Sequence, residues 1–139
     1  MGAIAVPKPI LCLDFDGVIH QCLSGWHGAR NIPDEPVPGA LAFMAAALGD
    51  GWDVVIHSGR ARHWGGILAM RRWLKFHAGK LYYDSPAGPG LKRVRFSRAK
   101  PPARVVFDDR AIPFIGVWPT LKYLREFQPW HRATWSMRD

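Results

Sequence analysis

The sequence predicts an α/β domain three layers deep, built on a largely parallel sheet. Three observations carry that class. Short apolar runs alternate with stretches of helical periodicity, as they do when helices form the crossovers between parallel strands. The first run, Pro9-Ile10-Leu11-Cys12-Leu13, has no polar alternation, which suits a strand covered on both faces. Two of the runs end in paired aspartates, Asp14/Asp16 and Asp108/Asp109, and ligands gather at the carboxyl ends of parallel strands.

The elements follow in order. After the first strand, Gly17, Gly25, Gly28, Pro33, Pro36 and Pro38 break residues 17–38 into a loop or small hairpin. Residues 39–48 read as an alanine-rich helix with Leu41, Met44 and Leu48 on one stripe, closed by Gly49 and Gly51. Residues 52–56 form the second strand, ending in the polar turn His57-Ser58-Gly59-Arg60. A second helix runs from about residue 62 to 78, with Trp64, Ile67, Met70 and Leu74 at helical spacing, His77 packed on that face and Gly79 as its stop. Residues 80–83 suggest a short third strand, followed by a turn-rich stretch over 85–90. Residues 104–107 are a strand that ends at Asp108-Asp109-Arg110. Residues 114–118 read as a last strand, and Thr120 caps a final helix to about residue 127. The segment 128–139 is a basic tail carrying Trp130 and Trp135.

At 139 residues the chain fits one domain, 1–139, large enough to bury a core without disulfide or metal staples. Cys12 and Cys22 match neither a zinc pattern nor a disulfide framework, which points to a reducing, cytoplasmic setting. No segment has the length of a signal peptide's apolar core or of a membrane span, so a soluble protein with no membrane partner is expected. Its oligomeric state is left open. Nineteen Lys and Arg oppose eleven Asp and Glu, for a formal charge of +8. Lys92, Arg93, Arg95, Arg98, Lys100 and Arg104 crowd a stretch free of acidic residues, which either draws in phosphate-rich partners or is a solvated face.

Several side chains carry chemistry. A turn aspartate after a strand explains Asp14 or Asp16 singly; the pair, followed by Gly17 and matched by Asp108 and Asp109, points to a site. Ser58 ends a strand at the same sheet edge. His20, His27 and His63 have no metal-binding spacing, and His20 and His27 read as flap residues. Trp26, Phe43, Trp64, Trp73 and Trp118 read as core or flap packing, with Trp26 able to stack on a base if the flap is exposed.

Together Asp14-Phe15-Asp16-Gly17-Val18, Ser58, Lys100 and Asp108-Asp109 resemble, in order, the four motifs of the haloacid dehalogenase superfamily of aspartate-nucleophile phosphatases. The resemblance spans nearly the whole chain. It implies a Rossmann-like fold, magnesium, and phosphoryl transfer through an aspartyl-phosphate. A carboxylate can attack phosphorus in line, and Asp14 is placed to do so. Asp16 is the candidate acid and base, a role that calls for a raised pKa; an aspartate here argues for a phosphatase over the dehalogenase branch. Four converging carboxylates repel one another without a cation, and hard oxygen donors suit magnesium. By resemblance the ion takes Asp14, the backbone carbonyl of Asp16, and Asp108 or Asp109, with Asp109 preferred. Ser58 and Lys100 would donate to the phosphoryl oxygens, with Lys92 the alternative lysine. Gly59, Arg60 and Arg110 are candidate substrate-binding residues; for the two arginines the alternative is salt bridges that order the site loops.

Neither gap between motifs has room for a cap domain, so the crevice is expected to be open. The stretches 55–60 and 106–110 are similar to those of the 3′-phosphatase half of phage polynucleotide kinase/phosphatase enzymes, and the chain also resembles small phosphatase-like proteins of phages and bacteria. No phosphate-binding Gly-x-x-x-x-Gly-Lys loop is present for a kinase half. The expectation is a magnesium-dependent phosphomonoesterase for nucleotides or nucleic-acid ends. The alternatives are a small-metabolite phosphatase and a non-catalytic nucleic-acid-binding module, and retention of both Asp14 and Asp16 counts against the second.

Overall fold

The computed structural model describes residues 7–132. Four strands, β1 (Ile10–Leu13), β2 (Asp53–His57), β3 (Arg95–Ser97) and β4 (Val105–Phe107), form one sheet in the order β3-β2-β1-β4, and every neighbouring pair is parallel. Helix α1 (Ala40–Gly49) joins β1 to β2. A 3-10 turn (Gly59–Arg62) and α2 (Gly66–Tyr83) join β2 to β3, and α3 (Leu121–Glu126) follows β4. This is an α/β chain with a Rossmann-like layout. Among the described residues no helix is long and apolar enough to cross a membrane.

Register explains the core. Leu11 stands opposite Val54 and Leu13 opposite Ile56, and because side chains alternate along a strand these four share one face. They pack with Met44 and Ala47 of α1 and with Met70, Trp73 and Leu74 of α2. Both helices therefore lie on that face. Topology requires it, since β1, β2 and β3 step across the sheet in one direction and right-handed crossovers then fall on one side. Cys12 and Val55 point to the opposite face, buried but outside this cluster, and α3 buries none of its residues. The expected third helical layer is thus absent from the described residues.

Three expected elements come out differently. Residues 80–83 are helical: Gly79 takes φ 71° and ψ 167°, which kinks α2 without ending it, and the Asp84 amide still donates to the Lys80 carbonyl (2.9 Å). The third strand instead lies at β3, inside the basic run, where Val94 and Phe96 turn inward while Arg95 reaches out to Asp53. Residues 114–118 form no strand; Pro113 and Pro119 flank them, Gly116 turns at φ 95°, and Phe114, Ile115 and Trp118 are exposed. The Thr120 cap is present, its Oγ1 accepting from the Tyr123 amide at 3.1 Å. Of the aromatic residues expected to pack, Trp73 is buried, whereas Trp26, Phe43, Trp64 and Trp118 are exposed. Trp135 and the rest of 133–139 lie outside the described residues.

Candidate functional site

β1 and β4 are neighbours, so their carboxyl ends open side by side. Leu13 pairs with Phe107, and the Asp14 amide donates to the Phe107 carbonyl at 2.9 Å. The next residues on each strand are then forced together: Asp14, Asp108 and Asp109 each bring a carboxylate oxygen within 4.8 Å of the others. Burial, and then the adjoining Asp109 carboxyl, push Asp14 up to about 8 despite the Phe15 amide donating to its Oδ1 at 2.8 Å. Asp108 is exposed, and its Oδ1 accepts from the Arg110 amide (2.9 Å). The Asp109 side chain is buried. Its Oδ2 meets His131 Nε2 at 2.6 Å, while its buried Oδ1 has no hydrogen-bond partner among the described residues. Three hard oxygens, one of them orphaned and one carboxyl raised by its neighbours, form a donor set that fits a small divalent cation such as magnesium.

Asp16 belongs to a different group of side chains. Gly17 turns at φ 82°, and the Asp16 carboxylate faces Arg60 and His20 instead of the three aspartates. Arg60 Nε donates to both of its oxygens (3.1 and 2.9 Å) and Nη2 to Oδ1 (2.9 Å). His20 Nδ1 lies 2.9 Å from Oδ1. Because His20 Nε2 accepts the Asp34 amide at 3.1 Å, its proton sits on Nδ1 and points at Asp16. Burial alone would raise Asp16, but the hydrogen bonds from His20 and Arg60 and the guanidinium charge hold it below the usual carboxylate range. The sequence reading expected a raised pKa. The structure reverses the direction, because a guanidinium fork and an imidazole stabilise the charged form.

Arg60 is 1% exposed. Besides Asp16 it donates through Nη1 to the carbonyls of Gly28, Ala29 and Asn31 at 3.0, 3.0 and 3.1 Å. In this geometry it orders the loop 21–37 over the site, the alternative role allowed for it, and has no donor left over for a substrate phosphate. Ser58 caps the 3-10 turn, its Oγ accepting from the Arg60 amide at 3.2 Å. Gly59 and the exposed Arg110 line the same crevice of about 440 Å³ as Asp14, Ser58, Asp108 and Asp109. Lys100 is exposed and close enough for its charge to act on Cys12 together with those of Asp14 and Asp108, whereas Lys92 pairs with Asp84. Of the two candidate lysines, Lys100 is the one beside the aspartates.

Two contributors were not foreseen. His20 was read as a flap residue, yet it is fully buried, with its ring stacked 5.6 Å from Phe15 and edge-on to Trp73. The closing turn Trp130–Arg132 brings His131 to Asp109, and Trp130 Nε1 donates to the Gly17 carbonyl at 2.6 Å. No local pattern marks His131, since it is joined to Asp109 by folding and not by spacing. His27 binds the Ser24 carbonyl from the loop (2.8 Å). Comparison of the chain with protein-family models, curated proteins and solved structures found no match, so the reading of this crevice rests on its own residues.

Proposed function

We propose that the chain is a capless phosphomonoesterase of the haloacid dehalogenase type, dependent on a divalent cation, acting on nucleotides or nucleic-acid terminal phosphates in the cytoplasm. The observation that carries the reading is the meeting of Asp14 with Asp108 and Asp109 at adjoining strand ends, with Asp16 held one turn away. Asp14, Asp108 and Asp109 would hold magnesium, which supplies positive charge to the phosphate oxygens and keeps Asp14 ionised. An Asp14 oxygen attacks phosphorus; the new O–P bond forms as the bond to the leaving oxygen breaks, giving an aspartyl-phosphate that water then hydrolyses. Ser58 and Lys100 donate to the phosphoryl oxygens. Asp16, held ionised by Arg60 and His20, suits the second step, taking the proton of the attacking water. Protonating a leaving alcohol works against Arg60, so the first step favours leaving groups that need little protonation.

The net charge of +8 and the open crevice support a phosphate-rich substrate. One observation favours a small-metabolite phosphatase instead: Lys92 and Arg95, two of the six basic residues in the 92–104 run, are already paired with Asp84 and Asp53. The test is hydrolysis of p-nitrophenyl phosphate. Turnover is expected with magnesium, is stopped by excess chelator, is restored by magnesium and only weakly by calcium, and is absent in Asp14→Asn. Full activity in chelator, or appreciable turnover by Asp14→Asn, overturns the proposal.

A further inference from the structure

The loop 21–37 presents Trp26 at the rim of the crevice, where it lines the same space as Asp14, Ser58 and Asp108. Trp26 is 55% exposed, although its ring rests against the Arg60 guanidinium, whose carbon lies 4.7 Å from the ring centroid. That guanidinium also grips three carbonyls of the Trp26 loop, so the ring is held rigidly beside the site and does not hang from a loose flap. His63 continues the surface, its ring 6.1 Å from Trp26 and tilted by 49°. The next residue, Trp64, is 85% exposed and carries the Arg30 guanidinium 5.4 Å from its ring. Arg30 is fixed there because its stem crosses Gly65, where a Cβ would collide with it. Trp64, Arg30 and Arg72 border a second hollow of about 540 Å³ whose lining contains no carboxylate.

Flat rings left in water, each backed by or next to a guanidinium, lead away from a cluster of carboxylates built to hold a cation and a phosphate. We propose that this strip, from Trp26 through His63 to Trp64, is a stacking platform for unpaired bases, so that the crevice receives the terminal phosphate of a single strand. The proposal rests on the phosphatase reading for the fate of that phosphate and on the strip alone for the binding. Rings accept any base face, while Arg30, Arg62 and Arg72 meet the backbone charge. A duplex offers no free base faces along its length, and a free phosphate reaches none of these rings.

The test is calorimetric titration of the full chain with six-nucleotide thymidylate lacking any terminal phosphate, which neither needs magnesium nor can be turned over. A hairpin duplex of the same sugar type serves as comparison. The strand should bind about tenfold tighter than the duplex, and Trp64→Ala should weaken it about tenfold while Trp64→Phe retains most of the affinity. Thermal melting shows whether each variant is folded; Trp64→Phe decides the matter if Trp64→Ala is not. Equal binding of strand and duplex, or strand binding unaltered by Trp64→Ala and lost only with salt, overturns the platform. If the strand binds as described and phosphorylated strands release no phosphate, the platform stands and the phosphatase reading falls.

Discussion

A buried guanidinium is tolerable only when its N–H groups find acceptors, and Arg60 meets that condition with Asp16 and three loop carbonyls. Arg60→Ala strands the Asp16 charge and frees the loop, so a loss of about 3–5 kcal/mol in denaturant unfolding is expected. Arg60→Lys should recover little, because an ammonium cannot reproduce the fork. The two aspartates respond oppositely to pH. Asp14 is raised by burial and by Asp109, so the metal-free folded state binds the extra proton; stability should fall as pH rises from the ordinary carboxylate range to about 8. Asp16 is lowered, so the stability it contributes is present above that range and is lost on acidification. Metal-free Asp14→Asn should melt higher than the native chain at pH 8, with the gap closing toward pH 5. A gap that widens on acidification would contradict this. In turnover, ionised Asp16 predicts rates that fall steeply as the leaving alcohol becomes more basic, measurable over a series of aryl and alkyl phosphates.

At the scale of elements, legibility followed the strength of the local pattern. β1, β2 and β4 could be read because each is an apolar run that stops at a polar residue, and the adjoining aspartates came with them. β3 was hidden because an edge strand of three residues, with arginine at its start, reads as part of a charged run. Gly79 looked like a helix stop, and only the absence of a sheet partner for exposed Leu81 leaves 80–83 helical. At the site, Asp14, Asp108, Asp109 and Ser58 were legible. The ties that organise them, Arg60 to Asp16 and His131 to Asp109, join distant segments and leave no periodic trace. The closing turn yields its own prediction: His131→Ala leaves a second oxygen of buried Asp109 unpaired, costing on the order of 1–3 kcal/mol of metal-free stability. Magnesium should restore part of the lost melting temperature; a variant as stable as the native chain would show the turn to be dispensable. Gly17→Ala should be worse than either, since its φ of 82° disfavours a side chain and a Cβ would overlap the His131 ring and the Asp109 carboxylate.

Over the whole molecule, the sheet is finished on one side only. β4 is an edge, its Val105, Val106 and Phe107 partly open, and Phe114, Ile115, Val117, Trp118 and Leu121 continue an apolar surface beyond it. Such a surface promotes sticking between copies, and an exposed strand edge adds free backbone groups to it. The opposing influence is the charge of +8, which keeps like molecules apart as long as it is neither screened nor neutralised. Raising sulfate should therefore increase light scattering by both routes at once, weakening repulsion and strengthening apolar contact. A polyanion does the same stoichiometrically. Titrating the protein with long-chain polyphosphate should give turbidity that peaks near charge matching and clears in excess, as the complexes first lose and then reverse their sign; the unfinished sheet edge thus makes solubility a property of how much phosphate the protein carries.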